Sequence, residues 1–329
     1  MGCPRATTQG GAAGRSPTQN HVLHITNGDS TRIGLERSGL PGTFQPWRDV
    51  LYDGPAPTRL PVPEFRRVRS AFIGSTGAFG SAEEIERGYA QEDAAVAGWN
   101  DHDEMVLWFE HDLYDQLLLV RLLSMLPPDA GRKVSLVSTD TYLGSLTPDE
   151  FPRLFEHRRP ITPEQVALGA QAWDAFGADT PQPLAAVLQT DTSPLPYLGS
   201  ALRRLIEEYP SDRDGLARSE RQILQAIEHG ARTGREAFAA CARMEEAIFM
   251  GDSTFWSIAD RMARDAVPPM TTGAGMRDPV ALTSAGRDVL DGRADYVALN
   301  GIDRWLGGVR LTPAALWRRT PEGVLTRAS

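Results

Sequence analysis

Cysteine is scarce in this chain of 329 residues, which contains only Cys3 and Cys241. Neither a CxxC pair nor a Cys/His spacing typical of zinc sites occurs, so no zinc site of that kind is predicted. Two cysteines also do not make a disulfide framework, because Cys3 lies in a segment predicted to be a tail. This cysteine usage fits a reducing compartment, and we expect a cytoplasmic protein.

Long apolar runs are missing too. The most apolar helical stretch, residues 113–126, is too short to span a bilayer and contains Asp115 and Arg121. Residues 1–19 lack the apolar segment of a secretory signal. They are rich in Gly, Ala, Thr, Ser and Pro, which predicts a disordered tail. We therefore expect no membrane partner.

Several nucleotide and hydrolase motifs are also lacking. The chain has no GxGxxG fingerprint, no P-loop lysine and no GxSxG elbow, so Ser30 is not favoured as a nucleophile. The net charge of −9 opposes indiscriminate phosphate binding but leaves room for a local basic face. Residues 80–104 hold eight acids and a single arginine, which predicts a solvated helix face.

The hydrophobic content of 41% suffices for ordinary cores, and the length predicts two domains. Short apolar runs bounded by turn residues alternate with helical patterns in the first half of the chain. This alternation predicts a mostly parallel sheet, so we expect a Rossmann-like α/β domain over residues 20–145. The predicted strands are 22–26, 43–47, 105–109 and 134–138; the predicted helices are a short one capped by Asp29, Ser30 or Thr31, then 65–72, 81–97 and 113–126, the last capped by Asp112.

The strand signal fades after residue 145, and residues 146–210 are predicted to form a helical linker. Residues 211–319 then show three helices, two short strands and a helix, an order typical of a winged-helix-like domain. A basic tail, 301–319, follows, and Trp305 is expected to dock it onto the first domain. The predicted helix starts are Ser219, Thr233, Asp252 or Ser253, and Thr283; the strands are 268–270 and 280–282.

Acids and histidines follow three of the predicted strands. In an open α/β sheet, ligands bind outside the carboxyl ends of the strands, so these side chains are expected in one crevice. His24 is the exception, because it lies within a strand, where a hydrogen-bonded structural role competes with catalysis. The candidate catalytic residues are His111, Asp29, Glu110 and His24, acting as general acids or bases.

Ligand and metal candidates come from the same segments. Asn27, Gly28 and Ser30 lie between a strand and a helix, where backbone amides could hold an anion. Asp49 and Trp47 are further ligand-binding candidates, although Asp49 could instead pair with Arg48 or a buried amide, and Trp47 could be core. Asp29 and Asp112 could hold a divalent metal such as Mg²⁺ or act only as helix caps.

Three motifs resemble the family called domain of unknown function 1835, and two C-terminal segments look like parts of its longer members. The resemblance covers residues 20–145 well and 210–319 less specifically, and it implies no established activity. The motifs are His24-x-x-Asn27-Gly28-Asp29, Trp47-Arg48-Asp49-Val50-Leu51-x-x-Gly54-Pro55 and Trp108-Phe109-Glu110-His111-Asp112-Leu113-Tyr114-Asp115-Gln116; the C-terminal segments are 251–256 and 303–308.

Two functions remain open from the sequence, beside a third interpretation in which the protein is a scaffold with no chemistry. One is an enzyme directed at a small molecule or nucleotide, a hydrolase or transferase with an acidic strand-end site that a divalent metal could assist. The other is a DNA-binding or regulatory protein whose α/β domain senses a ligand. For DNA binding, the helix near 234–243 would present Arg235 and Arg243, but Glu236 offsets these charges.

Overall fold

The computed structural model describes residues 21–328, so the predicted disordered tail, residues 1–19, lies outside the described residues. The first part of the chain alternates strands with helices, as the sequence predicts. Its elements are β1 (Val22–Thr26), α1 (Asp29–Arg37), β2 (Thr43–Pro46), β3 (Gly54–Pro55), α2 (Val62–Ser75), α3 (Ala82–Ala97), β4 (Glu104–Phe109), α4 (Leu113–Ser124) and β5 (Val134–Ser138).

The second part is mainly helical and ends in short strands. Its elements are α5 (Phe151–Glu156), β6 (Arg159–Pro160), α6 (Pro163–Phe176), α7 (Gln182–Val187), α8 (Leu198–Ile206), α9 (Arg218–Glu228), α10 (Gly234–Arg243), α11 (Asp252–Ala263), β7 (Met270–Thr272), β8 (Val280–Leu282), α12 (Ser284–Leu290), α13 (Tyr296–Asn300), β9 (Arg304–Gly307), β10 (Val309–Leu311), β11 (Trp317–Arg319) and β12 (Leu325–Arg327). None of the helices in residues 21–328 is long and apolar enough to cross a membrane.

The main sheet has five strands in the order β2-β1-β4-β5-β6. The first four are parallel, and only the two-residue β6 is antiparallel, so the predicted mostly parallel α/β sheet is confirmed. From β1 the chain runs to β2 on one side and later returns to β4 on the other. The gap between the ends of β1 and β4 is therefore the topological switch point, where ligands bind in such sheets.

Burial on both faces explains why the central strands are continuous apolar runs. All of β1 and all of β4 after Glu104 are buried. Ile25 and Leu107 belong to the large core that includes α4 and α6, whereas Val106 and Trp108 pack on the opposite face. This two-sided packing fixes the register, with Thr26 opposite Trp108, and so fixes which residues follow the two strands at the switch point.

Three of the predicted helix caps are confirmed. Asp112 caps α4 by accepting a hydrogen bond from the amide of Asp115 at 3.1 Å. Thr233 and Thr283 cap α10 and α12 in the same way. Short side chains with an oxygen acceptor satisfy amides that the first helical turn leaves without partners.

Other predicted helix starts are wrong. Gly28, with no side-chain acceptor, precedes α1, so none of Asp29, Ser30 and Thr31 is its cap. Gly251 likewise precedes α11, in place of Asp252 or Ser253. Ser219 lies inside α9, where its hydroxyl donates to Glu208 at 2.6 Å instead of capping the helix.

The predicted solvated face of α3 is also partly wrong. Glu92 and Asp93 are buried, and both pair with arginines. The side chain of Arg48 contacts Glu92 at 3.3 Å, and Asp93 contacts Arg66 at 3.0 Å and Arg121 at 2.9 Å. Buried charges of this kind need a paired partner, which composition alone does not reveal.

The C-terminal tail docks onto the α/β part through its backbone. Leu306 and Gly307 of β9 pair with Gly54 and Pro55 of β3, and the amide of Gly308 donates to the last carbonyl of α6 at 3.0 Å. Gly307 has φ +60°, and a Cβ there would lie 2.2 Å from that carbonyl oxygen. The expected docking is therefore present, but it is made by the residues after Trp305.

Candidate active site at the sheet switch point

Asn27 ties the ends of β1 and β4 together. Its Nδ2 donates to Oε1 of Glu110 at 2.8 Å and to Oδ2 of Asp115 at 3.0 Å. Its Oδ1 accepts from the hydroxyl of Thr31 at 2.7 Å, which orients the amide. The side chain of Asn27 therefore holds two carboxylates at the switch point, which is a positioning role beyond the anion cradle predicted from the sequence.

Three carboxylates converge beside Asn27. One oxygen each from Glu110, Asp112 and Asp115 lies within 4.8 Å of the other two, and all three residues are buried. We call these three residues the acid cluster. The sequence singled out Glu110 and Asp112, but it did not propose Asp115 as a site residue. The signal that could have found Asp115 is its position three residues after Asp112 at the start of a helix that follows a buried strand.

Backbone amides fix the orientation of the acid cluster. The amide of Glu110 donates to Oδ1 of Asp115 at 2.7 Å, and the amide of Leu143 donates to Oε1 of Glu110 at 2.8 Å. Gln116 donates to the carbonyl oxygen of Glu110 at 2.6 Å. Because both oxygens of Asp115 accept hydrogen bonds, its carboxylate is the most constrained, and Glu110 and Asp112 are better placed to bind a ligand.

Burial shifts the acid cluster toward its protonated state. Loss of solvation raises the pKa of Asp112 to about 7, with repulsion from Glu110 adding to the effect. Burial also raises the pKa of Glu110 and raises that of Asp115 still further, again with repulsion from its neighbours. Within residues 21–328, no Lys, Arg or His side chain forms a salt bridge with any of the three. The cluster thus lacks the cation that buried carboxylates usually have.

His111 lies next to the acid cluster in sequence but forms no hydrogen bond with it in the described part of the chain. Its ring packs between Tyr142 and Tyr197, with ring centroids 5.2 and 5.9 Å away. Its buried Nδ1 has no hydrogen-bond partner among the residues that the structure describes. Burial lowers the pKa of His111, and the charge of Asp140 opposes that shift, so the ring favours the neutral form needed for a general base.

The carboxylate of Asp49 is neutralised inside the protein. Arg69, which is fully buried, donates to it at 2.6 and 3.1 Å, and Arg121 lies 3.7 Å away. Asp49 therefore forms an ion pair, as one interpretation of the sequence suggested, but its partner is Arg69 and not Arg48. Trp47 is also fully buried, with the Arg121 guanidinium 4.9 Å above its ring, so it lies in the core and has no face free for stacking on a ligand.

His24 lies in the core, on the face of the sheet that carries Val106 and Trp108. Its Nδ1 accepts from the indole of Trp108 at 3.1 Å, and its Nε2 contacts the carbonyl oxygen of Pro41 at 3.1 Å. The ring stacks on Phe44 with a centroid distance of 4.8 Å. Burial lowers the pKa of His24. Both ring nitrogens are engaged, so the geometry supports the structural role over the catalytic one.

Asp29 does not join the acid cluster. Its half-exposed carboxylate contacts Arg48 at 2.8 Å and Arg32 at 3.3 Å. Asp29 and Asp112, the two residues that the sequence suggested for a metal, therefore do not lie in one cluster; the carboxylates next to Asp112 are those of Glu110 and Asp115. Ser30 is exposed on the first turn of α1.

A cleft of about 430 Å³ opens between the starts of α1 and α4 and the helices α2 and α3. We call it the switch cleft. The hydroxyl of Tyr114, in its wall, donates to the backbone carbonyl of Asn27 at 3.2 Å and so links the cleft to the acid cluster. Its charged lining residues are Asp29, Arg48, Asp49, Glu84 and Glu92.

Comparison with known proteins adds no functional assignment. No protein-family model matches the chain, and no curated protein matches it significantly. The site is therefore interpreted from its geometry.

Proposed function

We propose that this protein is a hydrolase or transferase that acts on a small molecule or nucleotide with the assistance of a divalent cation. The observation that supports the proposal is the acid cluster, three buried carboxylates at the switch point that no cationic side chain within residues 21–328 neutralises. Ligands bind at this place in open α/β sheets. Two of the motifs that resemble domain of unknown function 1835 supply Asn27 and the acid cluster, and we propose membership of that family on the same basis.

The donor set suits a hard cation such as Mg²⁺. Such ions prefer oxygen ligands at about 2.0–2.6 Å, so oxygens that share one ion lie about 3–5 Å apart. The oxygens of the acid cluster lie within 4.8 Å of one another. Burying a carboxylate costs several kcal/mol unless an opposite charge offsets it, and one divalent ion would offset two such charges.

The residues around the cluster have distinct roles in this proposal. Glu110 and Asp112 would hold the ion, while Asn27 and Asp115 position them. The ion would polarise the substrate or lower the pKa of a water molecule. His111 would act as a general base in its neutral form and as a general acid in its protonated form.

The DNA-binding alternative is less well supported. We propose that residues 218–290 form a winged helix, because α9, α10 and α11 precede the β7–β8 hairpin and α12. The third helix of such a unit reads DNA, which would be α11 and not the helix near 234–243 that the sequence suggested. Here α11 packs against the α/β part, where Tyr52 donates to Thr254 at 3.4 Å. The exposed Arg235 and Arg243 are on α10 and would contact at most phosphates.

Cation titration of the full chain tests the proposed function. We expect Mg²⁺ and Mn²⁺ to bind by calorimetry and to release protons, because the raised pKa of Asp112 leaves it partly protonated near neutral pH. Asp112→Asn should weaken binding at least tenfold, whereas Asp149→Asn, at an exposed position, should leave it unchanged. Equal affinity in the wild type and Asp112→Asn, or no binding to the folded wild type, would contradict the proposal.

Activity provides the second test. Release of phosphate or of a leaving group from a panel of nucleotides and small phosphate esters should depend on the added cation. His111→Gln should lower kcat and change the pH profile without altering cation affinity. A pH profile shared by the wild type and His111→Gln would remove His111 from the chemistry.

A further inference from the structure

The switch cleft adjoins a second cavity, which none of the acid cluster residues lines. This cavity, of about 340 Å³, lies between the α/β part and α11. Val50, Ile73 and Phe79 line both cavities, so the two adjoin across these three side chains; we call the pair the groove and each cavity one of its lobes. We propose that this groove binds an elongated organic cation, a molecule with amino groups at the ends of an apolar chain.

The charges of the groove favour a cation. The first lobe is lined by one cationic side chain, Arg48, and by four acids, Asp29, Asp49, Glu84 and Glu92, of which Asp49 is paired with Arg69. Arg48 is already paired with Asp29 at 2.8 Å and with Glu92 at 3.3 Å, and Arg32 also contacts Asp29 at 3.3 Å. Burial raises the pKa of Glu92 to about 7, so the excess negative charge comes mainly from Glu84, which forms no salt bridge among the described residues. The capping hydrogen bonds from Ser81 lower the pKa of Glu84 and keep it charged.

The second lobe has the same sign of charge. Asp53 and Asp260 line it, and none of its lining residues is an arginine, lysine or histidine. Asp260 is paired with Arg264 at 2.9 Å, but Arg264 is itself largely exposed outside the lobe. Each end of the groove can therefore accept a positively charged group.

Aromatic walls supply the remaining specificity. Phe79 is 51% exposed at the junction of the lobes, so its ring offers an apolar surface to a bound ligand. Tyr89 and Tyr114 line the first lobe and Trp256 lines the second. Aromatic faces attract ammonium groups and pack on the methylene chain between them.

An anionic occupant fits the groove poorly. A phosphate would face Asp29, Glu84 and Glu92 with only one cation, Arg48, which is already paired. A nucleotide phosphate would need the cation at the acid cluster instead. Calling the bound amine a substrate rests on the proposed function; the chemical class of the ligand follows from the groove itself.

Calorimetry on the metal-free full chain at about 150 mM salt tests the inference with defined probes. We expect spermidine and 1,8-diaminooctane to bind. The neutral 1,8-octanediol should bind at least tenfold more weakly, and the dianion suberate should show no binding. Equal affinity for the diamine and the diol, or no diamine binding to the folded protein, would overturn the proposal.

Variants locate the binding. Trp256→Ala and Glu84→Gln should each weaken spermidine binding at least fivefold. Trp305→Ala, at a half-buried tryptophan outside the groove, and Glu36→Gln, at an exposed glutamate, should leave it unchanged. If Glu36→Gln weakens binding as much as Glu84→Gln does, the attraction is a diffuse effect of the net negative charge and the groove proposal is wrong.

The fate of Asp112→Asn separates this inference from the proposed function. Because Asp112 lies outside the groove lining, spermidine should bind Asp112→Asn as it binds the wild type. Retained amine binding with no Mg²⁺ binding in the wild type would remove the metal-assisted function and keep the groove assignment. Mg²⁺ binding without amine binding would keep the metal-assisted function and remove the groove assignment.

Discussion

Asp112→Asn should make the protein more stable above neutral pH. The folded state raises the pKa of Asp112 from 3.8 to about 7, so folding favours the protonated acid. As the pH rises from about 4 to 7, the unfolded chain has lost this proton and the folded chain still holds it, so the free energy of unfolding falls. Each pKa unit corresponds to about 1.36 kcal/mol, which gives a loss of at most about 4 kcal/mol.

The asparagine variant removes this loss without removing the helix cap. Asn is as good an N-cap as Asp, so its Oδ1 can still accept from the amide of Asp115. Urea unfolding at pH 4, 5, 6, 7 and 8, without divalent cations, should show the variant gaining about 3–4 kcal/mol relative to the wild type across that range. A difference that is constant with pH would refute the reasoning. Asp149→Asn serves as the exposed control.

Three further substitutions test the structural roles found here. His24→Ala should cost about 1–3 kcal/mol of stability, because it leaves the buried indole N–H of Trp108 without a partner, while Mg²⁺ affinity should not change. Arg69→Met should cost about 3–5 kcal/mol in urea unfolding by leaving Asp49 as a buried charge; a loss below 1 kcal/mol would mean that another group compensates. Gly307→Ala should lower Tm and speed proteolysis of the tail, because its φ is positive and a Cβ would lie 2.2 Å from a carbonyl oxygen of α6.

The strands of the main sheet could be predicted because each is marked by a short run of apolar or small residues that are adjacent in the sequence. The residues of β5, Val134–Ser138, form an unbroken run that matches the predicted strand, since a strand buried on both faces needs apolar or small residues throughout. The same holds for β1. In such sheets ligands bind outside the carboxyl ends of the strands, which places Glu110 and Asp112 at the edge that ligands use. The structure brings these two residues together.

Other features depend on partners distant in sequence, which a pattern of residues does not reveal. Asp49 looks like any strand-end acid until Arg69, twenty residues later on α2, reaches it. His24 resembles a catalytic histidine until Trp108, from the neighbouring strand, occupies one of its nitrogens. Asn27 was expected to offer backbone amides to an anion, yet its side chain orients two carboxylates instead. Each case was decided by packing between elements.

Helix capping accounts for the position of Asp112 but not for the acid cluster as a whole. The dipole at the start of α4 stabilises a nearby negative charge by about 0.3–1 kcal/mol, and by about 2 kcal/mol in favourable, partly buried sites. The rise in the pKa of Asp112 corresponds to a larger cost, and Glu110 and Asp115 add further buried charge. A cap alone would need only one of these acids. The excess charge is explained if the three carboxylates are built for a cation, which would offset their repulsion when they ionise.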